Sequence, residues 1–300
     1  MRPRNLYFCL AMKLSICVGI VMLVQVVQAQ MSFTRTNGQE DIDVPTPSYY
    51  KTSGQRIDST ALTEIEKYKT AVGISVWNGM SAQGQIIDSG NRGMIGKTIS
   101  IELANHRRSR MDIFGANENT SIRINGTYAA MRTANTIIRY LPPQAAVFGV
   151  LGIEQLLDMQ PAFMSGVNLI DRGNVVISGN TLRRITIEYL VNSDQNSTGK
   201  SESSSEFIRA TQSNIVIDYY FDQNTNILSK SAALVVVPDD KSLVLECISY
   251  SKYNNVNGIF VPTIYSQSFN GQMGWVIQLS QINIKQDADT VNYEFNGSRQ

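Results

Sequence analysis

Residues 214–222 read Asn-Ile-Val-Ile-Asp-Tyr-Tyr-Phe-Asp, and this stretch decides the fold class. Every second position carries an apolar or aromatic side chain, at Ile215, Ile217, Tyr219 and Phe221. A period of two is typical of a β-strand that buries one face and leaves the other in water. Strands with one wet face usually pair antiparallel, so the stretch predicts one strand of an antiparallel sheet.

The same alternation recurs on both sides of this stretch. Earlier in the chain it covers residues 98–103, 121–130 and 184–191. In the last of these, Ile185 and Ile187 lie on the apolar face. Later strands are predicted at Ala232–Val237, Ser242–Tyr253, Phe260–Phe269 and Trp275–Lys285. The sequence therefore predicts a long run of antiparallel strands.

Two regions have a helical pattern instead. Near the front, an apolar stripe recurs at helical spacing on Ala61, Ile65, Tyr68 and Val72. Asp58 or Ser59 can cap that helix and Gly73 can end it. Between the early and late strands, helices are predicted at Thr133–Leu141 and Ala145–Met159, separated by Pro142-Pro143.

The second inserted helix is apolar nearly all round, which is typical of a helix covered on most sides. Residues 193–206 are polar and of low complexity, and are interpreted as a mobile loop between two strands. Together these patterns predict an α+β fold in which a large antiparallel sheet carries a few helices.

The first 29 residues have the order of a secretory signal. Arg2, Arg4 and Lys13 precede the apolar run Leu14–Val27, and Ala29 follows at a suitable cleavage point. A membrane anchor is the alternative, but spanning a bilayer takes about 20 apolar residues. We therefore predict a signal at 1–29, a flexible polar leader at 30–57 and one domain at 58–296. The mature protein is expected outside the cytoplasm, without an integral membrane span.

Charge and cysteine content narrow the class of function. The chain has 26 basic and 25 acidic residues without a clustered basic face, so no nucleic-acid partner is expected. Once the signal is removed, Cys247 is the last of the three cysteines, so no intrachain disulfide can form. Cys247 lies on a predicted strand and is expected to act as a small buried hydrophobe.

Residue patterns for catalysis or cofactor binding are nearly absent from the sequence. The single histidine, His106, stands in a basic run and is not accompanied by a nucleophile-elbow motif. One histidine and one cysteine cannot build a typical zinc site. Phosphate-binding loops and dinucleotide fingerprints are also missing, so no cofactor and no metal are expected.

The second half of the chain resembles the LolA-like superfamily, the periplasmic lipoprotein carriers and their relatives. Asp218–Asp222 resembles its strand before a turn, and Tyr250–Tyr253 with Val256–Pro262 resembles its tyrosine-rich strand, glycine turn and Pro-containing strand. Leu279–Ile284, followed by Tyr293 and Phe295, is similar to its closing strand and C-terminal aromatics. The resemblance spans Ser59 to Phe295 and is specific from Asp218 onward.

This resemblance implies a strongly curved antiparallel half-barrel with helices packed on or in its concave face. The family shields acyl chains there without an enzymatic step, so the implied partner is a lipid or a lipidated protein. The chain departs from the carriers in its greater length, its polar leader and its Ser-rich loop. The cavity-lining residues expected on this basis are Phe148, Leu151, Leu156, Ile185, Ile187, Ile215, Ile217, Tyr219 and Trp275.

Two other functions remain open at this point. The same fold can have a filled core and act as a structural or interaction module through its surface or leader. An extracytoplasmic hydrolase that uses His106 is the third possibility.

Overall fold

The computed structural model describes most of the predicted domain. The described residues are 44–47, 55–74, 78–104, 108–115, 119–126, 128–134, 138–157, 167–189, 215–236, 242–285, 293 and 295. The predicted signal, most of the leader, the polar loop at 193–206 and His106 lie outside these ranges.

The described residues form three α-helices and thirteen strands. The helices are α1 (Ser59–Val72), α2 (Pro143–Phe148) and α3 (Glu154–Leu157). The first six strands are β1 (Gly79–Ser89), β2 (Thr98–Ala104), β3 (Arg108–Phe114), β4 (Asn119–Asn125), β5 (Tyr128–Thr133) and β6 (Arg139–Tyr140). The later strands are β7 (Val167–Ile177), β8 (Asn180–Tyr189), β9 (Ile215–Asp222), β10 (Leu228–Val236), β11 (Leu243–Val256), β12 (Ile259–Phe269) and β13 (Gln272–Ile284).

All thirteen strands belong to one sheet. Its order is β6-β5-β4-β3-β2-β1-β13-β12-β11-β10-β9-β8-β7, and every neighbouring pair is antiparallel. The sheet is open, with β6 and β7 at its two edges. The predicted α+β fold with a large antiparallel sheet is confirmed.

Helix α1 forms as its apolar spacing predicts. Ala61, Ile65, Tyr68 and Val72 are its buried apolar residues, and Gly73 ends it in the left-handed conformation at φ 77°. The cap differs from the prediction, because the Asp58 side chain makes no capping hydrogen bond. It accepts hydrogen bonds from Arg56 and from the backbone N–H of Asp171 instead. Asp58 therefore fastens the start of α1 to β7.

The inserted region differs from the two predicted helices. The predicted helix at Thr133–Leu141 is wrong, because Thr133 ends β5 and residues 139–140 form β6. Pro142-Pro143 begins α2 rather than separating two helices, since proline suits the first helical turn. The predicted helix at Ala145–Met159 is broken by Gly149 and Gly152, both of positive φ.

The outer face of the sheet is also more buried than the alternation of apolar and polar residues predicted. Thr186, Glu188 and Asp218 were expected in water, but each is buried. The reason is that residues 44–47 lie on this face, where Val44 packs with the outer side chains of β7 to β11. Arg184 donates to the carbonyl of Thr46, while residues 56–58 pair with the edge strand β7.

The main core lies on the other face, which we call the inner face. Apolar residues of α1, α2 and α3 there form one cluster with the inward side chains of the strands. Helix α1 contacts β7 and β12, and α2 contacts β5, β9 and β10. Within the described ranges, no helix has both the length and the apolar character needed to cross a bilayer.

Candidate functional site

The inner face brings together the residues predicted to line a cavity. Eight of them are buried in the main core cluster: Phe148, Leu151, Leu156, Ile185, Ile187, Ile215, Ile217 and Tyr219. Trp275 is partly buried and packs against the same cluster. None of the eight is more than 5% exposed, so in this conformation their side chains are covered by other protein atoms. Whether they contact a ligand remains a prediction.

Residues 143–157, which we call the helical insertion, cover part of this face. Their loop is organised by the carboxylate of Glu154, which is 5% exposed. Its Oε1 accepts from the backbone N–H groups of Val150 and Leu151 at 2.6 and 3.0 Å. Its Oε2 accepts from Ile153 N–H at 3.0 Å. One side chain therefore satisfies three buried backbone donors, and it closes the turn between α2 and α3.

The helical insertion is joined to the sheet through Tyr250 on β11. The Tyr250 hydroxyl donates to the carbonyl of Leu151 at 2.9 Å and lies 2.6 Å from Ser231 Oγ. Gly152 sits directly above this pair, and a Cβ there would lie 2.7 Å from Ser231 Oγ and 2.9 Å from the Tyr250 hydroxyl. The loop thus approaches the sheet closely because position 152 carries no side chain.

Four hydroxyl-bearing residues lie side by side across β9 to β12, and we call them the hydroxyl row: Tyr219, Ser231, Tyr250 and Tyr265. Tyr219 pairs with Ser231 across β9 and β10, and Tyr250 pairs with Tyr265 across β11 and β12. The Ser231 to Tyr250 hydrogen bond joins the two pairs. The hydroxyls of Tyr219 and Tyr265 are buried and have no hydrogen-bond partner among the described residues.

The sequence predicts only part of this row. Its periodicity identifies Tyr219 as an apolar lining residue and does not reveal that its hydroxyl lies in a row. The available signal was the periodicity, which places Tyr219, Tyr250 and Tyr265 on the same face of their strands. The strand register needed to align them is a tertiary property, and the sequence pattern of single strands does not contain it.

The inner face also shifts the pKa values of its acids. Burial raises the pKa of Glu154, although its three backbone hydrogen bonds act in the opposite direction. Burial likewise raises the pKa of Glu246 on β11 to about 7. The tyrosines of the hydroxyl row have pKa values well above their usual range for the same reason. Their hydroxyls are therefore neutral hydrogen-bond donors at physiological pH.

A second polar cluster lies on the outer face. Arg184 donates to Asp218 Oδ2 through Nε and Nη2, at 3.0 and 2.6 Å, and Thr186 Oγ donates to Asp218 Oδ1 at 2.5 Å. Arg172 bridges from Thr186 to Glu188. These contacts pair the polar side chains of β7, β8 and β9 with one another.

The described residues hold one cysteine and no cluster of metal ligands. They contain no group of three or more His, Cys, Asp or Glu side chains that could hold a metal ion. Cys247 is buried on the outer face with Val44 and Tyr220, which confirms its predicted burial. A hydrolytic site based on His106 falls outside the described ranges.

Comparisons with known proteins give a likeness in fold. No protein-family model matches the chain. No curated protein matches its sequence. Among solved structures, a LolA superfamily protein from Nitrosomonas europaea is 12% identical, with a TM-score of 0.48 over 75% of this chain and 93% of that one.

Two further structures are similar at the same level. A domain from Vibrio parahaemolyticus, described as an outer membrane lipoprotein-sorting protein, is 8% identical over 77% of this chain and 95% of its own, with a TM-score of 0.46. A DUF1329 family protein from Desulfovibrio piger is 9% identical over 78% of this chain and 97% of its own, with a TM-score of 0.43. These matches include proteins of the LolA type that the sequence resembles, at identities of 12% or less and TM-scores below 0.5.

Proposed function

We propose that the protein is an exported, non-enzymatic binding protein that holds a lipid acyl chain or a lipidated partner between the helical insertion and the inner face of the sheet. The observation that carries this proposal is the position of the helical insertion. Its two short helices cover a large apolar face and are not part of the sheet that forms it. Export rests on the signal pattern of residues 1–29.

The contacts of α2 support a strongly curved half-barrel with the helices in its concave face. Helix α2 contacts both β5 and β10, which are eight strand positions apart in the sheet. In a flat sheet that separation would be about 38 Å. The six residues of α2 span only about 9 Å. This difference supports a sheet that bends around α2 and brings both strands within reach.

The apolar interior is closed in this conformation, so a ligand needs the helical insertion to move outward. The sheet does not have to open for that movement, because its strands are joined by their own ladder of hydrogen bonds. The N–H groups of Val150, Leu151 and Ile153 in the 149–153 loop are bonded to Glu154 and move with it. Each acyl methylene buried on the inner face contributes about 0.8 kcal/mol, which offsets the apolar surface that the insertion exposes when it moves.

A structural or interaction module with a permanently filled core is the second candidate. The observation that favours it is the near-complete burial of the predicted lining residues. The two candidates differ in one property, since only a binding protein releases its helical insertion in exchange for an acyl chain.

A fluorescence titration separates the two candidates. We expect purified protein to bind cis-parinaric acid saturably, with a large rise in its emission. Leu156, buried in α3, can be changed to Gln, which places an unsatisfied amide against the acyl chain. We expect Leu156→Gln to weaken binding about tenfold or more, which corresponds to the ~1–3 kcal/mol cost of a buried unpaired amide.

The matched control is Val176→Gln, because Val176 is 66% exposed on β7. Circular dichroism melts show whether both variants remain folded. Binding that is absent from the wild type, or that Val176→Gln reduces as much as Leu156→Gln, contradicts the binding proposal and favours the filled core.

A further inference from the structure

We propose that the hydroxyl row binds the polar head of the ligand, and that it recognises the carbonyl oxygen of an ester-linked acyl chain. This inference rests on the proposed function and adds the chemistry by which the ligand is recognised. It concerns Tyr219 and Tyr265, which lie at the two ends of the row.

The two hydroxyls are incompletely satisfied in the closed conformation. Tyr219 is 0% and Tyr265 is 2% exposed, and neither hydroxyl has a hydrogen-bond partner among the described residues. A buried hydroxyl without a partner destabilises the state that contains it. Tyr250 between them is different, because its hydroxyl is paired with both Ser231 and Leu151. The row therefore has two donors that none of the described residues uses.

Displacing the helical insertion uncovers the row. The 149–153 loop lies directly on it, with Gly152 in contact with Ser231 and Tyr250. When this loop moves, the Leu151 carbonyl leaves Tyr250, and a third tyrosine hydroxyl becomes available. An acceptor oxygen that enters with the ligand would take the place of the Leu151 carbonyl and accept a hydrogen bond from Tyr250. It would also accept one from Tyr219 or Tyr265. The bound state then has more of its hydroxyls paired than the closed state.

The charges near the row favour a neutral acceptor. The recorded hydrogen bonds of the row join only neutral groups, and none of them involves a Lys or Arg side chain. A free carboxylate would therefore bring a charge into a poorly solvated place without a cation beside it. An ester carbonyl accepts the same hydrogen bonds without adding charge. The row therefore fits the head of an esterified acyl chain better than that of a free fatty acid.

The test compares three pyrene-labelled probes of equal chain length: a methyl ester, a free fatty acid and an alkane. We expect Tyr219→Phe combined with Tyr265→Phe to weaken ester binding at least about fivefold, because the ester oxygen loses the hydrogen bond from Tyr219 or Tyr265 and one lost hydrogen bond corresponds to about fivefold. Alkane binding should stay unchanged, because phenylalanine keeps the apolar contacts. In the wild type, the ester should bind more tightly than the free acid.

The unliganded variants provide a second readout. Removing an unpaired buried hydroxyl should raise the Tm by roughly 2–4 °C for each tyrosine. Tyr250→Phe is the matched control and should lower the Tm, because that hydroxyl has two partners. A purely structural role for Tyr219 and Tyr265 would change the Tm without separating the ester from the alkane.

The outcomes distinguish this inference from the proposed function. If ester and alkane both bind the wild type and the double variant loses neither, the hydroxyl row does not bind the polar head, while the binding function stands. If the free acid binds more tightly than the ester, the assignment to esters is overturned. If no probe binds the wild type, the binding function fails and the inference fails with it.

Discussion

A Glu154→Ala variant is expected to lose about 3–5 kcal/mol of unfolding free energy. The carboxylate is buried and accepts hydrogen bonds from the backbone N–H groups of Val150, Leu151 and Ile153. Alanine leaves these three donors without an acceptor, and a buried unpaired donor costs about 1–3 kcal/mol. Urea denaturation followed by circular dichroism gives the free energy directly.

Glu154→Gln is the graded comparison. Its amide oxygen can still accept from Val150 and Leu151, but its amide nitrogen would face the N–H of Ile153. We expect a loss smaller than that of alanine. A loss below about 1 kcal/mol for Glu154→Ala would mean that the carboxylate does not organise the loop.

An Asp218→Ala variant is expected to lose a similar amount, about 3–5 kcal/mol. Asp218 is fully buried and Arg184, its partner, has only 12% of its side chain exposed. Alanine leaves the guanidinium without its charge partner and removes the acceptor for Thr186. The loss therefore comes mainly from an uncompensated buried charge, and urea denaturation again measures it.

Two variants test that explanation. Replacing the pair together, as Asp218→Leu with Arg184→Met, removes both charges and should restore most of the loss. Glu66→Ala removes a carboxylate that is 66% exposed and paired with Lys69, so it should change the free energy by less than about 1 kcal/mol. If the double variant is less stable than Asp218→Ala, an unpaired Arg184 is not the cause.

The sheet could be predicted from the sequence because alternation is a local signal. Ile185, Ile187, Ile217 and Tyr219 lie on the inner face as their spacing indicates. The same signal failed on the outer face, where Asp218 was expected in water. A pattern along one strand does not show that residues 44–47 cover it.

The helical insertion could be predicted only in part. Its apolar character indicated burial, and α2 and α3 are indeed buried. Its division into two helices depends on Gly149 and Gly152, whose positive φ values are set by close packing against Glu154 and Tyr250. The hydroxyl row depends on strand register across four strands. Both are tertiary features, and periodicity along the chain does not contain them.

Photoaffinity labelling tests the central claim most directly. The purified protein is irradiated with an acyl ester that carries a diazirine near the end of its chain, and the labelled peptides are mapped. The account predicts labels on the inner face, at residues such as Leu156, Ile187 and Ile217, that disappear with excess unlabelled ester. Labels confined to exposed side chains such as Val176 and Leu243, or labels that the competitor does not reduce, would contradict it.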